Sequence, residues 1–404
     1  MQLSEVDLLD PDNFRLGRHH EMFEVIRAED PVFWHEERTP AGGFWNITRH
    51  ADLITVNRDA HVFSSAEHGI SIPDIPEDGA MVREMMLYMD PPRHTRYRLL
   101  VNKGFTPRMI GLLEQHLAHK ATSIVDNVVD DGRCDFVADI AAELPLQAIA
   151  ELMGVPQEDR RKLFDWSNRM IGADDPEFQK DSEGMELAGN AATELFMYSH
   201  SLAELRRDDP QDDIISRLLG AEVEGDKLSE LEFDMFFLLL AVAGNETTRN
   251  ATAHGMKALI DHPDQFDKLK ANPDLLPSAI EEVLRWATPV LHFRRTALED
   301  YELGGKTIHK GDKVVMWHIS ANRDETVFDD PFRFDIERSP NEHIAFGGGG
   351  PHFCLGANLA RMELRLIFDE LLRRLPDLEL DGEVEYLRSN FIGGIKHMPV
   401  RWAA

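Results

Sequence analysis

The sequence predicts a mainly α fold with a small β region, and three observations carry that reading. Apolar residues recur at helical spacing through most of 108–262, with breaks at Gly132, Gly154, Pro156, Pro176, Pro210 and Gly225. After Pro289 the pattern changes to short alternating stretches around 290–297, 301–303, 307–309 and 313–317, with turns at Gly304-Gly305 and Lys310-Gly311. No internal repeat, low-complexity tract or clear linker divides the chain, so residues 1–404 are expected to form one domain.

Taken in order, residues 21–29 read as a short helix, 44–48 as part of a small N-terminal sheet, and 51–59 as helical. Residues 69–87 are irregular, with Pro73 and Pro76 among Ile70, Ile72 and Ile75. An apolar loop of this kind suits a lid over a site, and equally a solvent-facing linker. Pro91 and Pro92 precede a helix in which His94 and Arg98, four apart, share one face. Such a pair can clamp a carboxylate, although a solvated basic face has the same spacing. The polar region 165–208 is expected to supply helices that cap a site.

Ser229 starts a long helix as an N-cap, with Glu232 completing a capping box, and His262-Pro263 ends it. Inside lies Ala243-Gly244-Asn245-Glu246-Thr247-Thr248. A mid-helix glycine costs about 1 kcal/mol against alanine, so it needs a reason. Threonine bonding back to the i−4 carbonyl bends a helix. Small Ala243 and Gly244 beside Thr247 would open a groove for a diatomic molecule and water; a kink packed against a neighbouring element is the alternative. Thr247 shares a face with Ala243, whereas Glu246, about 100° around the axis, is turned aside. A helix over 277–286 places Glu282 and Arg285 on one face, a spacing common in surface ion pairs. Residues 384–401 read as a terminal hairpin with Ile392 at its tip. Ile72, Leu239, Ala243, Val290, Leu291 and Ile392 are the candidate lining of a pocket without fixed charge, which suits a bulky hydrophobic molecule.

The chain has 43 basic and 73 acidic side chains, a net charge of −30. That disfavours nucleic acid and anionic lipid as general partners. The N-terminus, with Glu5, Asp7 and Asp10, lacks the basic and apolar regions of a signal peptide. The longest apolar run, 235–244, falls short of the roughly 20 residues a spanning helix needs, so no membrane anchor is expected. Cys134 and Cys354 are far apart with no CxxC, which argues against a disulfide framework and for a reduced, cytoplasmic setting.

The most informative stretch runs from Phe346 through Gly347–Gly350, Pro351, His352 and Phe353 to Cys354, then Leu355, Gly356 and an amphipathic helix. Glycines let a backbone pass close to a flat partner. A cysteine just before a helix start feels unpaired N–H groups, which lower its pKa and favour the thiolate. Thiolate is a ligand of haem iron. A buried structural thiol is the competing reading.

This loop resembles the cysteine-ligand signature of the cytochrome P-450 haem-thiolate monooxygenases: a Phe, glycines, a His or Arg two before the Cys and a Gly two after it. Its Phe-to-Cys spacing is one residue longer than the commonest form. Three further motifs over 90–361 resemble the family's in order and approximate spacing. The resemblance implies the cytochrome P-450 fold, one triangular domain holding haem b (iron protoporphyrin IX) between the 230–262 helix and the Cys354 loop. Cys354 would be the axial ligand of the metal. His352, His94, Arg98 and Arg295 (or neighbouring Arg294) would hold the propionates, Glu246 and Thr247 would form the oxygen-activation pair, and Glu282 and Arg285 would be scaffold.

The implied activity is hydroxylation of an unactivated C–H bond with O2. Electrons would come from a separate ferredoxin and ferredoxin reductase, because the chain carries no flavin or iron–sulfur module. The longer loop and the Ala243–Asn250 motif look like the steroid side-chain and methyl-branched lipid hydroxylases, pointing to a sterol-like, terpenoid or branched-lipid substrate and a monomeric enzyme. Arg361, Arg365, Arg96 and Lys103 are expected to form a basic patch that steers an acidic ferredoxin. A peroxide-using haem-thiolate enzyme and a non-catalytic haem sensor remain open.

Overall fold

The computed structural model describes residues 1–37, 42–75, 79–103, 107–172, 174–178, 184–223 and 225–403. Pro76 of the expected lid and residues 173 and 179–183 of the expected capping region lie outside the described residues.

The α part consists of α1 (Pro11–Arg15), α2 (His19–Glu29), α3 (His50–Arg58), α4 (Arg93–Val101), α5 (Pro107–Asp126), α6 (Glu143–Leu152) and α7 (Arg160–Ile171). It continues with α8 (Gly184–Asp208), α9 (Ile214–Leu219), α10 (Glu230–Asp261), α11 (Pro263–Ala271), α12 (Leu276–Ala287), α13 (His318–Ala321) and α14 (Ala357–Arg374). The strands are β1 (Val32–Glu36), β2 (Gly43–Ile47), β3 (Phe63–Ser64), β4 (Arg133–Asp135), β5 (His292–Ala297) and β6 (Tyr301–Leu303). They are followed by β7 (Lys306–Ile308), β8 (Lys313–Trp317), β9 (Glu379–Leu380), β10 (Glu385–Tyr386), β11 (Ile395–His397) and β12 (Pro399–Arg401).

α10 organises the molecule. Ser229 Oγ accepts from the Glu232 amide at 3.1 Å while the Glu232 carboxylate accepts from the Ser229 amide at 2.9 Å, so the expected capping box starts it. His262 is its C-cap. Phe233, Phe236, Phe237, Asn245, Ala251 and Met256 are buried around its circumference, the pattern of a helix enclosed by others. It packs against α6, α7, α8, α12 and α14.

β6 and β7 pair with each other separately, while the N-terminal strands β1–β3 join β5 and β8 in one sheet of order β1-β2-β8-β5-β3, with β2–β8 the parallel pair. This antiparallel-rich sheet buries Val32, Ile47, Val314 and Met316 in a core of its own. The expected C-terminal hairpin is present as β10 and β11, paired antiparallel on either side of Ile392, but β12 leaves it to pair with β4 and β9. The expected hairpin misses this because β4, the partner that carries Cys134, lies more than 250 residues earlier.

Glu282 and Arg285 of α12 are fully buried and bidentate, with both N–O distances at 2.7 Å. Arg285 also donates to the carbonyls of Asn322 and Pro331 at 2.9 and 2.8 Å. Glu282 accepts from the Asp335 amide at 3.0 Å and Asn341 Nδ2 at 3.1 Å. The pair therefore stitches α12 to the irregular segment that delivers the cysteine loop.

Candidate active site

The cysteine loop closes on itself: the Cys354 amide donates to the Phe346 carbonyl at 3.0 Å, and the Gly347 amide to the Ile344 carbonyl at 2.8 Å. Its glycines chiefly serve contact with α3. Gly350 has φ +79°, and a Cβ there would lie 2.6 Å from the Asn57 carbonyl oxygen. Asn57 Nδ2 donates to the Gly349 carbonyl and Arg58 Nε to that of Gly348, at 2.9 and 3.0 Å. The close approach expected toward a flat partner is thus largely an approach to α3, with Gly347 the member of the run that borders the cavity.

That cavity has about 240 Å3 accessible to the centre of a water molecule, where one water needs only about 10–15 Å3 by this measure. Cys354, Phe346, His352, His94, Arg98, Arg295, Thr247, Ala243, Leu239 and Val290 all border it. Cys354 has exposed surface because it faces this space. Burial pushes its thiol above the ordinary value, opposite to the expected direction; the Gly356 amide and the Arg98 and Arg361 cations pull it back down. Metal coordination deprotonates a thiol outright, so the same three groups favour a bound thiolate.

Around the cavity the charge is mostly positive. His352 Nε2 lies 3.1 Å from both Ser65 Oγ and the Met89 carbonyl, and its ring is 4.3 Å from that of His94. Burial, with the Arg98 cation adding to it, lowers His94 to about 4, and burial lowers Arg295 to about 10. His94 is buried and its Nε2 has no partner among the described residues. Asp90, which accepts from the Ser65 amide at 2.8 Å, is the carboxylate acting on both His94 and Arg295. A carboxylate-bearing ligand would satisfy the orphaned imidazole and balance the arginines. Arg294 instead bonds Asp74 and the Ile72 carbonyl, at 2.6 and 3.0 Å, and so anchors the 70–75 loop. The arrangement fits an iron porphyrin: a thiol that can ligate metal, flanked by donors for two propionates.

On α10, the Thr247 hydroxyl donates to the Ala243 carbonyl at 2.7 Å. Glu246 faces away from the cavity and is fully enclosed. It accepts from Ser167 of α7 at 3.1 Å and is ion-paired with Arg249. Burial raises its carboxyl, opposed by Arg249 and Ser167. Gly244 borders the cavity, yet a Cβ on it would come within 2.3 Å of Ile149 Cδ1, so close contact with α6 is also a reason for the glycine.

Three of the pocket candidates fall elsewhere. Ile72 and Leu291 are buried with Phe44, Val315 and Trp317, and do not border this cavity. Val290 and Leu291 are consecutive in extended chain, so only one can face it. Ile392 forms a bridge with Val290 behind the wall. Sequence reasoning missed Met86, Leu87, Phe236, Leu240, Phe293 and Glu363, which line it. Phe236 and Leu240 were readable, since they continue the helical stripe of Ala243 and Thr247; Met86 and Leu87 sit on turns whose facing no periodicity encodes.

Among the described residues, three of the four cations of the expected basic patch, the arginines but not Lys103, are tied up in ion pairs. Arg361 pairs with Glu281 at 2.7 and 2.8 Å and lies 4.5 Å over the Phe346 ring. Arg365 pairs with Glu114, and Arg96 with Asp226 and Glu232. With so many carboxylates in the chain, surface arginines find local partners.

The cytochrome P450 family model matches residues 113–385. The chain is 45% identical to a steroid C26-monooxygenase of Rhodococcus jostii over 98% of its length and 84% of the relative's. It is 42% identical to a methyl-branched lipid omega-hydroxylase of Mycobacterium tuberculosis over 94% and 90%. A Mycobacterium marinum cytochrome P450 in complex with pseudoionone superposes with a TM-score of 0.93, at 42% identity over 98% of both chains. A Bacillus megaterium cytochrome P450 in complex with corticosterone gives 0.85 at 35% identity, over 97% and 100%. With that cysteine-bearing cavity and these likenesses, the chain belongs to the cytochrome P450 family of haem-thiolate monooxygenases.

Proposed function

We propose that residues 1–404 act as one haem domain that hydroxylates an unactivated C–H bond of a sterol-like, terpenoid or branched-lipid substrate. The observation that carries this reading is one cavity bordered both by the Cys354 thiol, a group able to ligate metal, and by an apolar wall of Leu239, Leu240, Phe236, Val290 and Phe293. The names of the relatives, steroid C26-monooxygenase and methyl-branched lipid omega-hydroxylase, support the substrate class. In this reading the group would be haem b, with the Cys354 thiolate holding its iron and His94, Arg98, Arg295 and His352 holding its propionates. When bound, it supplies the oxygen-activating chemistry.

The chain's own residues do the rest. The apolar wall excludes water and orients the substrate's hydrocarbon end. Thr247 Oγ1 holds a proton and a hydrogen bond at the cavity, and Glu246 supplies protons from behind it. Electrons come from a ferredoxin and its reductase to a monomeric enzyme in the cytoplasm. Among the described residues no helix is long and apolar enough to cross a membrane.

The test is to add a sterol with an intact side chain to the haem-loaded protein together with NADPH, ferredoxin and reductase. The expected result is a low- to high-spin shift and a side-chain alcohol carrying one oxygen from labelled O2. Tight spin-shifting binding by small aromatic acids, with none by sterols, terpenoids or branched lipids, would overturn the substrate class. Product from peroxide but not from NADPH would favour a peroxide-using enzyme.

A further inference from the structure

Glu246 is enclosed and borders neither of two cavities itself, but its neighbours border both. Its own chain neighbours Thr247 and Thr248 border the first. Its ion-pair partner Arg249 borders the second, which lies among α7, the π-helical turn Val137–Ala141 and β11. By the same measure as before, the second cavity offers about 160 Å3, room for on the order of ten waters.

Its two ends differ in character. At the inner end Arg249 is 7% exposed, donates to Asn168 Oδ1 at 2.7 Å and holds Glu246, while its Nε has no partner among the described residues. Asn168 also borders the cavity. At the outer end His397 is 40% exposed and lies between two carboxylates, 2.7 Å from Asp135 and 3.1 Å from Glu177. Lys396 holds Glu177 at 2.8 Å and Asp175 at 3.1 Å, which fixes this rim. The walls between are mainly apolar.

A buried donor without a partner, opening on a space of this size with a titratable rim, is a place for ordered water. We propose that the second cavity is a water-filled antechamber through which protons reach Glu246, with His397 exchanging them with solvent and Arg249 positioning the carboxylate and the innermost water. The inference rests on the reading of Glu246 as the proton source for Thr247. Both His397 ring nitrogens are bonded to carboxylates, so the protonated ring gives its proton to Glu177. Glu177 borders the cavity and passes the proton to cavity water, and His397 recovers one from bulk solvent. Water passes the proton to the Glu246 carboxylate, which hands it on at the α10 face. Arg249 takes no proton itself, because a guanidinium stays charged. Burial lowers the His397 pKa, but the Asp135 and Glu177 carboxylates outweigh it and raise the group above its ordinary value. The raised value favours its charged form.

The experiment compares Ala138→Trp, which fills the exposed rim, and His397→Gln with the wild type and Glu246→Gln, all haem-loaded. Turnover is driven either by NADPH with ferredoxin and reductase or by hydrogen peroxide, which brings its own protons. The expected result is NADPH-driven turnover slowed about tenfold in both rim variants, less than the ~10² or more of a direct acid–base group, with a larger solvent deuterium effect. Peroxide-driven turnover should stay at the wild-type value. Wild-type crystals, with or without haem, should show ordered water running from Arg249 Nε toward the His397 rim, and Ala138→Trp crystals should lack it. A dry cavity in the wild type would overturn the proposal. Wild-type rates and isotope effects in both rim variants, with Glu246→Gln slow, would overturn the antechamber alone. A Glu246→Gln enzyme as fast as wild type would overturn the functional reading on which it rests. Equal loss of peroxide-driven turnover would reduce the rim to a structural role and overturn the proposal.

Discussion

Thr247 and Glu246 are adjacent in the chain yet belong to different surroundings, and each side chain has one strong tie that sets what it can do. The Thr247 hydroxyl is bonded to the Ala243 carbonyl and borders the cavity that Cys354 also borders. Glu246 is enclosed, raised by burial, and held by Arg249 and Ser167. Their replacements should therefore differ in kind. Thr247→Ala should keep NADPH consumption fast but divert it to peroxide, because the cavity loses its hydroxyl. Glu246→Gln should slow consumption itself by roughly 10²-fold, the loss expected when a proton-transfer group is removed. Product, NADPH and peroxide measured together separate the two, and full coupling at wild-type rate in both would make the pair no more than a helix feature. The turn of about 100° between them was legible in the sequence from helix geometry alone. The opposite facings of Val290 and Leu291 were not, because alternation leaves open which of two neighbours points inward until the sheet's place is known.

At the scale of elements, α12 acts as a clamp on the cysteine loop. Glu282 and Arg285 grip the 322–341 segment, and Glu281, on the next position, grips Arg361 of α14 and His343. Burial raises the Glu281 carboxyl, but Arg361 and His343 outweigh it and hold the group down to about 2. Removing one member of the fully buried Glu282–Arg285 pair strands the other, at a cost of about 3–5 kcal/mol. Glu282→Ala should lower the stability of the haem-loaded protein by that amount in chemical denaturation and weaken haem retention. A loss below 1 kcal/mol would show the pair to be dispensable. The i,i+3 spacing was legible in the sequence, but the burial was not: the carbonyls that Arg285 serves are 37 and 46 residues away. The α10 capping box, by contrast, was fully legible, since all its partners lie within four residues.

Across the whole molecule, the site is assembled from α3, the 86–87 turn, α4, α6, α10, α12 and the turn after it, β5, α13, the cysteine loop and α14, spanning residues 57 to 363. Local signals placed those motifs on their elements; their convergence came from the resemblance and from tertiary packing. The same limit explains the surface arginines, whose carboxylate partners Glu114, Asp226 and Glu281 lie 80 to 251 residues away. A donor protein that docks there meets ion pairs rather than free cations, so electrostatic steering at that face is weaker than net arginine count suggests. Everything in this account depends on Cys354 being the ligand that the assembled cavity presents to iron. The direct measurement is the carbon monoxide difference spectrum of the reduced, haem-loaded protein. The wild type should give the thiolate-type band, and Cys354→Ala should lose it while binding the same group through His94, Arg98 and Arg295. A thiolate-type band that survives in Cys354→Ala would contradict the account.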